Sequence, residues 1–270
     1  MKDSFITPFT LEIPREYKKY KTQGNKQQIQ KEIPGIKEAS VTAETKNKAS
    51  YKELQNSQKE FNVASMMART LRQSLSSSMA EICEAYIFGK LTAKFRKLAK
   101  MEEGETGTRP LFLSKYGHLL NGFDFNANAP FKDIFSAKYF VKQGSKRGQI
   151  ILHFPSSIPK KALKSPKKAT NFKIITRLIA LSDYRFDHHI QGYMPLSKEL
   201  HGKFGTFESA MFPFLKIPME PTTGMISVNN GMVPVETGLF LVMALCFYKY
   251  ENGKFEHLNK SSSMQILQVL

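Results

Sequence analysis

Residues 159–168, PKKALKSPKK, hold five lysines and no acid. Ammonium groups at that density set up a one-signed field that attracts phosphate, anionic lipid or an acidic protein. The field reaches beyond the decapeptide, because residues 138–177 contain eleven basic side chains and no carboxylate. Lys142, Lys146 and Arg147 precede the segment, Lys160, Lys161, Lys164, Lys167 and Lys168 lie within it, and Lys173 and Arg177 follow. These residues form the candidate nucleic-acid-binding set. Each phosphate they neutralise adds about one unit to the salt dependence of binding. The competing reading is a solvated loop between two strands, with an acidic protein partner as a third.

A second constellation lies in DYRFDHH. Asp183, Asp187 and His189 alternate onto one strand face and have the ligand chemistry of a metal site. Such a site needs further ligands and supporting hydrogen bonds, so a solvated strand edge is the plainer reading. No GxSxG, HExxH, phosphate-binding loop or GxGxxG is present. The expectation is a protein without catalytic residues, metal or cofactor. In GKLTAKFRKLAK, Lys90, Lys94 and Lys97 flank an apolar stripe. Their stems suit the edge of a core, and the cations suit a helix C-terminus. A phosphate-tracking face is the sharper alternative.

The formal charge of +17 is concentrated. Residues 111–180 carry 13 Lys/Arg against 2 Asp/Glu, while residues 181–270 carry 7 against 8. Residues 1–60 have 12 against 8, and residues 61–110 have 8 against 5. A chain 41% hydrophobic, with 21 Phe and 10 Tyr, has enough apolar surface for a core. Its two cysteines, Cys83 and Cys246, sit far apart in apolar runs and read as buried free thiols, which suits a reducing cytoplasm. The first ten residues lack the apolar core of a signal peptide. The longest apolar run, residues 238–248, is roughly half of what a membrane helix needs. No membrane partner is expected.

The elements that must position these groups follow from periodicity. Residues 1–60 are polar and read for the most part as an extended basic arm that orders against a body or a partner, such as neighbouring proteins in an assembly, with a short strand at 5–13 or a helix at 50–60 open within it. Ala64, Ala68, Leu71 and Leu75 mark one face of a helix. Ser76, Ser77 and Ser78 offer a cap for a second helix, whose stripe runs from Met79 through Ile82, Cys83, Tyr86, Ile87, Leu91 and Phe95 to Leu98. Residues 61–109 are therefore a helical pair, ended by Gly104 and Gly107. Residues 111–126 allow a last helix leading into a turn at Gly122.

Strands follow. Residues 135–142 and 149–154 flank a hairpin loop, QGSKRG, and residues 172–180 make a long strand. Residues 184–194 and 212–219 are weaker candidates. Residues 239–250 read as a central strand, with ENGK turning it back into 254–258. Residues 264–270 form the last strand. The expected fold is α+β: a basic N-terminal arm, a helical pair, and an antiparallel β-sandwich over residues 110–270. Strand count alone fits an immunoglobulin-like order, although the chain has no Trp for the core position typical of that fold.

The phrases GETGTRP, LLNGFDFN, PKKAL…ATNFKI and LFLVMALCFYKYENGKFEHL, taken together, resemble a family of uncharacterised proteins from Bacteroidota-type bacteria. The resemblance covers roughly residues 50–270. It implies a shared architecture and transfers no catalytic residue. Within the lysine segment, SPKK (residues 165–168) is similar to the unit that basic chromosomal tails repeat in the minor groove, here in one copy. The functional expectation is a non-enzymatic protein that binds nucleic acid or another polyanion without sequence specificity. The alternative is a structural subunit of a larger assembly, such as a phage-derived or mobile-element particle.

Overall fold

The longest apolar run becomes the longest strand because both of its faces are covered. A computed structural model describes residues 49–270. Strand β9, Thr237–Glu251, is buried from 237 to 247. It pairs antiparallel with β3, Asn171–Ser182, in continuous register from Asn171 opposite Tyr248 to Ser182 opposite Thr237. On the other side of β9 lie β10, Lys254–His257, and β11, Ser263–Val269. β3 is flanked by β6, Phe204–Glu208, and β7, Phe212–Pro213. A second sheet has the order β1–β2–β8, from Phe140–Gln143, Gln149–Phe154 and Thr222–Ser227. A hairpin of β4, Tyr184–Asp187, and β5, Gly192–Pro195, stands apart.

Two cores lie on opposite faces of the large sheet. On one face, Ile174, Leu178, Leu241, Met243 and Leu245 pack with Ile150, Leu152, Phe154 and Ile226 of the three-stranded sheet. On the other, Ile175, Ile179, Phe240, Val242 and Ala244 pack beneath helices. Those helices are α1, Ala49–Gln73, the single turn α2, Ser77–Ala80, and α3, Ile87–Ala99, with α1 and α3 in mutual contact. Alternation along the central strands thus serves two apolar layers, which is why they read as nearly continuous hydrophobic runs. The helical region shares its core with the sheet. No helix among the described residues is long and apolar enough to cross a membrane.

Antiparallel sheet and helices together make the fold α+β, as composition and periodicity predict. The local differences have physical causes. Helix α1 includes residues 49–60, so the helix left open at 50–60 within the arm is present, and this part of the expected arm is not extended. Residues 49–59 bury no side chain, so that half of the helix carries no apolar stripe. The remainder of the expected arm lies outside the described residues.

The second helix is broken. Ser76 caps α2, its hydroxyl accepting from the Met79 N–H at 3.4 Å. Then residues 81–86 leave helical geometry to meet residues 125–127. The Glu84 N–H donates to the Phe125 carbonyl at 3.0 Å, and the Glu84 carboxylate accepts from the Ala127 N–H at 3.2 Å. Tyr86 turns left-handed at φ 64 and is 89% exposed, off the stripe predicted for it.

Two strands, β6 and β8, have no clear sequence signal because close packing demands glycine inside each. A Cβ on Gly224 would lie 2.2 Å from the Phe207 ring, and one on Gly205 would lie 2.3 Å from the Ser227 carbonyl. Asn252 and Gly253, both at positive φ, form the predicted turn between β9 and β10. The expected last helix is short: α4, Leu113–Tyr116, followed by a 3-10 turn, Gly117–Leu120. The strand expected at residue 135 starts at Phe140, and Phe131–Ile134 before it form a single-turn helix, α5.

Candidate nucleic-acid interface

The lysine segment is an ordered connection between β2 and β3, pinned by its apolar residues. Pro159 begins a single-turn helix, α6, Pro159–Ala162, where the missing proline N–H costs nothing. After it, Leu163 is buried and bridges to Phe135. Backbone bonds fix both sides: the Ser136 N–H donates to the Ala162 carbonyl at 2.9 Å, and the Lys164 N–H to the Ile134 carbonyl at 2.9 Å. A turn closes with the Ala169 N–H on the Pro166 carbonyl at 3.0 Å, and the Thr170 N–H then reaches Tyr248 of β9 at 2.9 Å. The anchored residues are Pro159, Leu163 and Thr170. The residues between them, Lys160, Lys161, Lys164, Lys167 and Lys168, are exposed. Among the described residues, none of the five has a carboxylate within salt-bridge reach.

Two shallow clefts flank the segment. One, of about 310 Å³, is lined by Lys164, Ser165, Lys260, Ser261 and Asn128, with Asp133 as its acid. The other, of about 430 Å³, is lined by Lys138, Lys161, Ser136, Ser156 and Ser157. The first cleft presents ammonium groups beside hydroxyl and amide donors, a combination suited to phosphate oxygens, whereas the second is walled mainly by Ala137, Pro155, Ile158, Ala162 and Pro218.

The rest of the predicted set divides. Lys142 is exposed on β1, and Lys146 is exposed at the hairpin tip, its Nζ 3.5 Å from the Asn230 carbonyl. Arg147 is committed to the fold. Its guanidinium donates to the carbonyls of Pro234 at 2.7 Å, Thr237 at 2.5 Å and Leu270 at 3.5 Å, tying the tip to the start of β9 and the last residue. Arg177 donates to the Ser74 carbonyl just beyond α1 and lies 4.0 Å from the centroid of the Phe204 ring. That carbonyl is one of the helix-end acceptors without an intrahelical partner. Burial lowers the pKa of both guanidinium groups. Lys173 pairs with Glu208 at 2.6 Å.

The exposed lysines do not gather into one patch. The hairpin tip holding Lys146 precedes β2, and the lysine segment follows its far end. Six extended residues separate them by roughly 17 Å. The exposed cations therefore frame the three-stranded sheet from two ends. Its outer face, with Phe140, His153 and Met225, was missed from sequence because apolar residues on both faces blur the alternation.

The DYRFDHH carboxylates serve the backbone. Asp183 is buried and accepts from the N–H groups of Leu113 at 2.6 Å and Ser114 at 2.9 Å, and from the Ser114 hydroxyl. Burial raises its pKa, and the Ser114 and Leu113 bonds partly offset this. Asp187 accepts from the His189 N–H at 2.7 Å. No cluster of metal-ligating side chains occurs among the described residues.

A Ser–His–Glu relay is present that no sequence spacing announces. The Ser262 hydroxyl lies 3.2 Å from His257 Nε2, and His257 Nδ1 lies 2.9 Å from Glu81. Ser262 is fully buried, and its Oγ accepts the Phe247 N–H at 2.9 Å. A substrate carbonyl has no approach to that oxygen, so the relay is structural. Burial pushes the thiols of Cys83 and Cys246 up to about 12, leaving both protonated and poorly nucleophilic at neutral pH. On α3, Lys90 pairs with Glu84 at 2.6 Å, while Lys94 and Lys97 are not paired with any carboxylate among the described residues.

Comparison with protein-family models, curated proteins and solved structures found no match to this chain, so every role given to its residues rests on their own chemistry and geometry.

Proposed function

We propose that this chain binds nucleic acid through its phosphate backbone, without sequence specificity and without catalysis. The observation that supports this reading is the ordered lysine segment. Five exposed ammonium groups without carboxylate partners among the described residues project from a connection held by Leu163, Pro159 and backbone bonds. A connection needed only for solubility could intersperse acids, and this one has none from residue 138 to residue 177. Pre-ordering lowers the entropy cost of bringing several cations to one polyanion. The five groups that carry the reading are ammonium groups on a short connection, which suits contacts of the phosphate-positioning kind. We read the two face-packed sheets as the sandwich that carries this segment.

Purification tests the reading. The full chain, isolated at low salt, should carry material that absorbs at 260 nm, is removed by nuclease and leaves in high salt. A chain that elutes free of nucleic acid at low salt, or in a large particle that survives both nuclease and salt, overturns the proposal. The particle result would favour an assembly subunit.

A further inference from the structure

The outer face of the three-stranded sheet has a composition that a purely structural surface does not require. Its register aligns two rows of outward side chains: Phe140, His153 and Thr223, then Lys142, Ile151 and Met225. The inward residues of the same strands, Ile150, Leu152 and Ile226, are buried in the core, so the outward set is fixed by alternation. Phe140 is 58% exposed and Met225 is 67% exposed. The Phe140 ring lies nearly parallel to the His153 ring, at 24° with centroids 6.2 Å apart. The Thr223 hydroxyl, 2.8 Å from His153 Nδ1, holds that imidazole in place. None of the three strands contains an acid.

Resting on the nucleic-acid reading above, we propose that this face is a stacking platform for single-stranded nucleic acid. Unpaired bases lie on Phe140 and against the apolar row of Ile151 and Met225. The backbone runs past Lys142, with Lys146 at one end of β2 and Lys138, Lys160 and Lys161 toward the other. The occupant follows from the chemistry. An exposed aromatic ring among cations matches a ligand with both a π-face and negative charge. A duplex offers the charge but hides its base faces, and a polyanion such as heparin has no base at all. A sheet of this span accommodates about two or three bases. The separation of the hairpin tip from the lysine segment, which prevents one compact phosphate patch, suits an extended strand lying between them.

The chain has no Trp, so Phe140→Trp creates a single fluorescent reporter at the platform. Titrating the full-length variant with a short oligo-dT should quench the indole through base stacking. Duplex DNA or heparin, bound through lysines alone, should leave it unquenched. In parallel, Phe140→Leu should weaken oligo-dT binding by about fivefold or more while leaving duplex affinity and the salt slope unchanged. If oligo-dT binds the Trp variant without quenching it, or binds Phe140→Leu as tightly as the parent, the platform is refuted and the phosphate reading survives. If neither oligo-dT nor duplex binds the parent chain at low salt, both fall. Should Phe140→Leu lose its cooperative melt, quenching of the Trp variant alone decides.

Discussion

Arg147 and Arg177 belong to the same acid-free window as Lys160, Lys161, Lys164, Lys167 and Lys168, yet the two groups have opposite fates. The arginines turn inward onto carbonyls and an aromatic ring, while the lysines face water without acidic partners among the described residues. Side-chain chemistry explains the division. A guanidinium offers several donors in a rigid fork and is weakly hydrated, so it can join separate carbonyls at a buried edge. An ammonium is a compact, strongly hydrated charge that stays outside unless paired. A run of positive charge in sequence is thus a mixture of structural and available cations. Lys173 shows the intermediate case, paired with Glu208 at a partly exposed strand position.

The structural group should produce the largest effect. Arg177→Gln removes the guanidinium that satisfies the Ser74 carbonyl and covers Phe204. Losing a charge-assisted bond at a partly buried site should cost about 2–3 kcal/mol in denaturant unfolding. Where the variant remains folded, its nucleic-acid affinity and salt slope should match those of the parent. A stable variant with a reduced slope would move Arg177 into the phosphate-binding group and break the comparison.

The same joint sharpens the contrast through pH. His201 accepts the Ser182 N–H on Nδ1 at 3.2 Å, so its Nε2 carries the proton toward the Thr70 hydroxyl at 3.0 Å. Burial lowers its pKa from the ordinary 6.5 to about 4. Between those values the unfolded chain takes up a proton that the folded chain refuses, so stability falls as pH drops from 6.5 towards 4. In His201→Gln that part of the pH dependence of the melting temperature should disappear. An unchanged profile would show that His201 does not set acid lability. His201 contacts Ser182 and Thr70 and lies outside the lysine segment, so phosphate binding should not share the transition.

Much of the scaffold was legible in the sequence because periodicity reports burial directly. β9 is visible in its apolar run, the β9–β10 turn in Asn252-Gly253, and the core face of α1 in Ala64, Ala68, Leu71 and Leu75. What stayed hidden depends on distant partners. Gly205 and Gly224 weaken the strand signal of β6 and β8 because a neighbouring strand passes too close for a Cβ. The break at residues 81–86 is made by residues 125–127, far along the chain. For the candidate interface, sequence located the cations but could not sort them. Nothing near Arg147 announces that the carbonyls of Pro234, Thr237 and Leu270 converge on it. The Phe140–His153 stack likewise depends on strand register.

The most direct measurement is the salt dependence of nucleic-acid binding by a chain carrying Lys160→Gln, Lys161→Gln, Lys167→Gln and Lys168→Gln. All four positions are exposed, so each change should alter stability by no more than about 0.5 kcal/mol. Plotting the logarithm of affinity against the logarithm of salt concentration for parent and variant compares how many phosphates each neutralises. For every phosphate no longer neutralised, the slope should shrink by about 0.7 on a single strand, or about 0.9 on a duplex. Equal slopes and equal affinities in parent and variant would contradict the account, showing the segment to be a solvated connection between β2 and β3.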